Sequence, residues 1–165
     1  MLPTNIVVSR AALSLAVQYP ERIQLVDAMI DLSREELAHF ERIYRMLRAC
    51  NASLGHEHPD PYMRALRKQL SNPDREEWLL RRLILFAVVE CRGYERFQLL
   101  ADHLVDRSIG AIYQEIARSE ARHQGLYLRL ARSYFVPSRV EPILDRILDI
   151  EAETMSAQRL QATLH

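Results

Sequence analysis

Apolar residues recur along most of the chain in alternating steps of three and four, the spacing that keeps one face of an α-helix buried. This pattern predicts an all-α fold with helices within residues 1–19 and over 21–50, 61–70, 74–101, 107–134 and 138–160. Four of these helices should form an antiparallel bundle, with the C-terminal helix packed outside it. The 165 residues suffice for one sizeable core, so we expect a single domain over 1–165.

Proline and capping residues mark several of the predicted helix ends. Pro20 separates the first two helices, because proline fits the first turn of a helix and disrupts its interior. Residues 71–74 (SNPD) combine capping side chains with proline, and residues 138–141 (SRVE) match a capping box. These signals predict helix boundaries without indicating a second domain.

Five ionisable residues interrupt the apolar faces of three predicted helices. They are Glu36, His39, Glu90, Glu120 and His123. Burying an unpaired carboxylate is costly, so an acidic residue on a buried face needs a partner. An arginine or a protonated histidine would satisfy each carboxylate separately, but five such residues in matched positions favour a shared function.

The spacing of these residues favours a metal centre. Glu36 and His39 are three residues apart, as are Glu120 and His123, so each pair lies on one side of its helix with Cβ atoms about 5–6 Å apart. Two Glu-x-x-His pairs with further carboxylates are typical of the di-iron site in ferritin-like four-helix bundles. We therefore expect two iron ions, with Glu36 and Glu120 as bridging ligands and Glu90 as a terminal ligand.

Composition narrows the class of protein further. The formal net charge is zero, so nucleic acid could be attracted only by a local basic patch. Two cysteines are too few for a disulfide framework. The longest apolar run, residues 83–89, is too short to span a bilayer, and the N-terminus lacks the pattern of a signal peptide. We expect a cytoplasmic protein that does not contact a membrane.

Three further features have more than one interpretation. His56 and His58 form a possible metal pair in an irregular connection, although a solvated loop is the preferred interpretation. Gly93 either opens space for substrate beside the metal or allows close helix packing. Four basic residues could contact phosphate groups or form ordinary solvated faces. They are Arg64, Arg67, Lys68 and Arg92.

Three motifs resemble those of the bacterial tRNA hydroxylase family that acts on 2-methylthio-isopentenyl-adenosine. They are residues 34–40 (REELAHF), 90–97 (ECRGYERF) and 119–123 (SEARH), and the resemblance extends over about 11–134. Members of that family are non-haem di-iron monooxygenases with a ferritin-like bundle. They hydroxylate the isopentenyl side chain of the modified adenosine beside the anticodon.

This resemblance implies that the same five residues are iron ligands. It also implies a tRNA substrate, O₂ and an external electron donor, such as a ferredoxin-like protein or a flavin reductase. The chain differs from the family in residues 7–12 (VVSRAA), where Val8 occupies the position of a glutamate ligand. The alternatives are a catalytically impaired relative or a ferritin-like metal-binding protein without tRNA activity, and the oligomeric state is left open.

Overall fold

The computed structural model describes residues 4–54, 61–68 and 74–157, with side chains from residue 6 onward. Within these ranges it contains six helices and no strands, which confirms the predicted all-α composition. The helices are α1 (Thr4–Gln18), α2 (Ile23–Ala49), α3 (Pro61–Arg67), α4 (Arg75–His103), α5 (Arg107–Tyr134) and α6 (Pro137–Ala157). They fall into two compact units, Met1–His58 and Pro59–His165. That both units belong to a single domain stays a prediction.

Aspartate side chains begin the two longest helices of the second unit. The Asp74 carboxylate accepts a hydrogen bond from the Glu77 backbone N–H at 2.7 Å, so Asp74 is the capping residue and α4 begins one residue after the predicted start at 74. Residues 71–73 of that signal lie outside the described residues. Asp106 begins α5 by accepting from the backbone N–H and the hydroxyl of Ser108, and these hydrogen bonds hold its pKa below its usual value.

The start of α6 differs from the prediction. The Val136 carbonyl accepts hydrogen bonds from the backbone N–H groups of Arg139 and Val140, so the helix begins at Pro137 and the capping box over 138–141 is wrong. Proline is favoured at this first position because it lacks an N–H that would have no helical partner there. The Glu141 carboxylate instead lies 3.2 Å from Arg132 of α5. The predicted ends of α3 at 70 and α6 at 160 lie outside the described residues.

The first unit is a hairpin of α1 and α2. Ala12 and Leu15 of α1 are completely buried and Val8 is 7% exposed, so these three residues form the buried face of the helix. The Ser9 hydroxyl donates to the Ser33 carbonyl and the Ser33 hydroxyl donates to the Ser9 carbonyl, both at 3.1 Å. These reciprocal hydrogen bonds fix the two helices in one axial alignment.

The second unit is built on the antiparallel pair α4 and α5. Phe86 packs against Tyr127 and Phe97 against Tyr113, with ring centroids 5.4 and 5.8 Å apart. Near the connection between the helices, a Cβ at Gly110 would lie 3.1 Å from a carbonyl oxygen of α4. Glycine therefore permits the close approach of α5 to α4 at this point. Among the described helices, none is both long and apolar enough to cross a membrane.

A buried carboxylate on α6 connects α3 and α4. Glu151 accepts hydrogen bonds from Arg92 Nε at 2.7 Å and Arg92 Nη2 at 2.8 Å, and from the Tyr62 hydroxyl at 3.3 Å. Burial and the neighbouring Glu151 charge raise the pKa of Tyr62, which therefore stays a neutral donor. The Arg96 guanidinium lies 5.2 Å from the Tyr62 ring centroid. The short helix α3 is thereby held against α4 and α6 within the second unit.

Candidate metal centre

Helices α4 and α5 bring three of the predicted ligands together. Glu90, Glu120 and His123 are 2%, 4% and 3% exposed. Each residue offers a ligand atom within 4.8 Å of those of the other two, and Glu90 Oε2 lies 3.9 Å from His123 Nδ1. Their positions follow from helical periodicity, because Glu90 continues the buried face of α4 and the Glu120–His123 pair continues that of α5.

The chemistry of these three residues fits a metal ion. Two buried carboxylates at this separation repel one another unless a proton or a cation lies between them. Carboxylate oxygens combined with imidazole nitrogen are a ligand set typical of non-haem iron. The cluster therefore has the composition, burial and spacing of a metal site.

The orientation of the His123 ring is set by its neighbours on α5. The Ser119 hydroxyl lies 3.5 Å from His123 Nε2 and accepts a hydrogen bond from Arg122 Nη2 at 2.9 Å. With Nε2 beside Ser119, the other ring nitrogen, Nδ1, faces Glu90. Partners of this kind orient metal-binding histidines in many proteins. Sequence reasoning missed the role of Ser119, although its place one turn before His123 was visible.

The other two predicted ligands lie in the first unit. Glu36 is completely buried on α2, and its Oε1 atom lies 3.7 Å from Nδ1 of His39, whose side chain is 12% exposed. In both Glu-x-x-His pairs the described histidine turns its Nδ1 atom toward a buried carboxylate. The carboxylate belongs to the same helix for His39, whereas for His123 it is Glu90 of the neighbouring helix α4.

Two residues that follow Glu90 differ in what they contact. A Cβ placed on Gly93 would lie 3.5 Å from Glu120 Oε2, an ordinary contact distance, so this glycine lies beside a candidate ligand. Arg92 instead points to α6, where it forms the ion pair with Glu151. Most of its hydrogen-bonding capacity is used there and on Glu95, which argues against the predicted contact with substrate.

The basic residues of α3 face outward. Tyr62 and Leu66, four residues apart, are buried, whereas Arg64, Arg67 and Lys68 are exposed. The helix therefore presents a positive surface while its apolar side anchors it. His56 and His58 lie outside the described residues.

The fold and the cluster define a class of protein, ferritin-like with a buried carboxylate–histidine site suited to a metal. A solved structure titled "Protein 43 with aldehyde deformylating oxygenase activity from Synechococcus" is similar over 98% of this chain and 78% of that chain, with 27% identity and a TM-score of 0.84. This likeness confirms the predicted ferritin-like, all-α fold class.

Sequence comparison identifies the family. Residues 5–165 match the family described as tRNA-(MS[2]IO[6]A)-hydroxylase (MiaE), and the chain belongs to this family. It is 30% identical to the tRNA 2-(methylsulfanyl)-N(6)-isopentenyladenosine(37) hydroxylase of Pseudomonas putida, covering 93% of this chain and 74% of that protein. The enzyme of the same name from Salmonella typhimurium is 35% identical, covering 66% of this chain and 40% of that protein. The resemblance inferred from the three motifs is confirmed.

Proposed function

We propose that this protein hydroxylates the isopentenyl side chain of 2-methylthio-isopentenyl-adenosine in tRNA, beside the anticodon. The observation that carries the proposal is the buried cluster of Glu90, Glu120 and His123 in a chain that belongs to the MiaE family. Family membership supports tRNA as the substrate and hence a cytoplasmic location. The cluster supports metal-dependent use of O₂, with electrons from an external ferredoxin-like or flavin reductase donor.

We assign two iron ions to this function as its cofactor. The residues that would hold them are Glu36, His39, Glu90, Glu120 and His123. Burial supports this assignment. The three glutamates and His123 are at most 4% exposed, and the His39 side chain is 12% exposed. Bound iron would supply the activation of O₂ that attack on an unactivated C–H bond requires.

The side chains of the protein would hold and shield the metal. The carboxylates balance the positive charge of the ions, and Ser119 keeps His123 turned so that Nδ1 is directed at the cluster. Phe86 and Tyr127 each lie about one turn from a ligand, and their rings pack together in the buried interior. This apolar ring pair would exclude water from one end of the centre and so favour hydroxylation over unproductive consumption of electrons.

The substrate would approach along the basic side of α3. Arg64, Arg67 and Lys68 are exposed there, and the contacts of Tyr62 with Glu151 and Arg96 hold the helix in a fixed position. Phosphate contacts supply much of the affinity of proteins for nucleic acids, so a fixed cationic surface would position tRNA without reading its sequence. Gly93, beside Glu120, is the residue that we assign to making room for the isopentenyl group.

Val8 should limit the activity. It is buried on α1, and the family resemblance places a glutamate ligand at this position. A hydrophobic side chain there offers no oxygen to a metal ion. We therefore expect one iron to be held weakly and hydroxylation to be slow.

The function is tested by measuring metal content and tRNA chemistry on the same preparations. The protein is loaded with iron under anaerobic conditions, desalted, and supplied with tRNA carrying the unhydroxylated nucleoside, a reductant and air. Digestion and mass spectrometry should show nucleoside that has gained one oxygen atom. Glu120→Gln should lose both metal and product, whereas Glu153→Gln, an exposed glutamate on α6, should lose neither.

The two alternatives give different results in this experiment. Tight metal binding without any hydroxylated nucleoside would indicate a ferritin-like metal-binding protein. If Val8→Glu then produced the hydroxylated nucleoside, the unmodified chain would be a catalytically impaired relative. Hydroxylation that persists in Glu120→Gln would contradict the assigned metal site.

A further inference from the structure

Helix α2 carries a row of large apolar side chains that face solvent. Ile23, Ile30, Leu37 and Tyr44 recur every seven residues and are 72%, 43%, 53% and 37% exposed. A helix turns about 100° per residue, so successive members of a seven-residue repeat are offset by only about 20°. The row therefore follows one side of the helix for about 32 Å, at about 1.5 Å per residue.

This row is separate from the side of α2 that carries the candidate ligands. Glu36 lies about 100° and His39 about 200° around the helix axis from Leu37. The buried residues of α2 include Leu25 and Met29, which also lie away from the row. Isolated exposed apolar residues are common, but a continuous row indicates a contact surface. A seven-residue apolar repeat is the pattern by which helices pack side by side.

The charges beside the row complement a second copy of α2 that runs in the opposite direction. Asp27, Arg34, Glu41 and Arg48 follow the row at seven-residue intervals, all are exposed, and their signs alternate. If two antiparallel α2 helices meet with Leu37 opposite Leu37, Asp27 faces Arg48 of the second copy and Arg34 faces Glu41. In a parallel two-fold pair these charges would lie on opposite sides of the interface and would not meet.

These charges make only weak contacts within one chain. Arg34 lies 3.9 Å from Asp31, and the two side chains are 79% and 76% exposed. Arg45 lies 2.6 Å from Glu41, with exposures of 75% and 57%. Exposed ion pairs between neighbouring turns contribute little to stability. They therefore leave the charged side chains able to pair across an interface.

We propose that the protein forms a two-fold symmetric dimer through this face of α2, with a second copy of the chain as the partner. The two-fold axis passes near Leu37, so Leu37 packs against its copy and Ile30 of each chain packs against Tyr44 of the other. Ile23 lies opposite residue 51, beyond the end of α2, and stays outside this contact. The Tyr44 ring stacks on Phe40 with centroids 6.4 Å apart, which presents it as a flat apolar surface. One helix face per chain is less than the roughly 800 Å² per partner of a standard stable interface. The dimer is therefore reversible and depends on protein concentration.

Sedimentation equilibrium of the full chain tests the proposal. The apparent mass should rise with concentration from 19.3 kDa toward twice that value. Arg34→Glu places two acidic groups against each other and should weaken the dimer at least about tenfold, and Glu41→Arg should do the same with two basic groups. The double variant should recover dimerisation, because the reversed charges again face each other. Arg107→Glu, an exposed reversal on α5, is the matched control and should change nothing.

A second variant tests the apolar contact independently of charge. Ile30→Lys should keep its helical circular dichroism, because the side chain is already 43% exposed, and it should sediment as a monomer. A mass of 19.3 kDa for the unmodified chain at every concentration would overturn the proposal, whether or not the row binds a different protein or lipid vesicles. A dimer that neither single charge reversal weakens would also overturn the proposal. The same holds if the double variant dimerises as weakly as the single variants.

Discussion

Replacing Glu151 with glutamine should destabilise the second unit, because this carboxylate joins three helices. It accepts two hydrogen bonds from Arg92, at 2.7 and 2.8 Å, and one from the Tyr62 hydroxyl. Its side chain is 6% exposed and that of Arg92 is 26% exposed, so the ion pair is largely shielded from solvent. Hydrogen bonding to Glu151 raises the pKa of Arg92 above its usual value. Glutamine preserves the shape but removes the charge and one acceptor oxygen.

The size of the effect follows from the geometry of the pair. Removing one partner of a fully buried ion pair costs about 3–5 kcal/mol. Arg92 is partly solvated and keeps its contact with Glu95, so a loss of about 2–3 kcal/mol is expected for Glu151→Gln. For a chain of this length, each kcal/mol lowers Tm by about 2–4 °C, which gives a decrease of about 4–12 °C.

Thermal unfolding followed by circular dichroism measures this loss. Glu95→Gln is the matched control, because it removes the other carboxylate of Arg92 at a 50% exposed position and should cost less than about 1 kcal/mol. Replacing both partners, Arg92→Met with Glu151→Leu, should cost less than Glu151→Gln alone, since no buried charge is then left without its partner. Glu95 also loses Arg92 in this variant, but it is 50% exposed and remains solvated. Equal Tm values for Glu151→Gln and Glu95→Gln would refute the reasoning.

Three other measurements test the remaining assignments. Val8→Glu should increase the iron retained after anaerobic loading and desalting, from one tightly held ion toward two. Two tightly held ions in the unmodified chain would show that another residue supplies the missing carboxylate ligand. Arg64→Ala with Arg67→Ala should flatten the slope of log affinity for tRNA against log salt by about one unit per lost phosphate contact, and an unchanged slope would reject α3 as the binding surface. Burial raises the pKa of the Cys91 thiol, and because the thiolate is the reactive form, its alkylation should lag behind that of exposed Cys50 and accelerate as pH rises. Equal rates at neutral pH would contradict this.

The sequence predicted those features that depend on periodicity and on neighbouring residues. The three- and four-residue spacing identified the buried positions of Glu36, Glu90 and Glu120. The capping and proline residues over 71–74 located the start of α4 to within one residue. The predicted capping box of α6 was wrong because both Pro137 and the serine that follows it are residues that favour the beginning of a helix. The sequence alone did not show which of the two begins α6. Features that join distant segments were not predictable in this way, since periodicity locates a buried residue without identifying its partner.

Glu151 illustrates that limit, because it carries the same sequence signal as Glu90, and neither has a histidine three residues later. Each is an acidic residue on the buried face of an amphipathic helix, and nothing local to α6 distinguishes the two. The partner decides the role. Glu151 meets Arg92, located 59 residues earlier, so the chain itself supplies the compensating cation. Glu90 meets Glu120 and His123, and bringing two carboxylates and an imidazole together inside a protein is favourable when a cation from outside binds between them. The first arrangement stabilises the fold, and the second has the composition of a metal site.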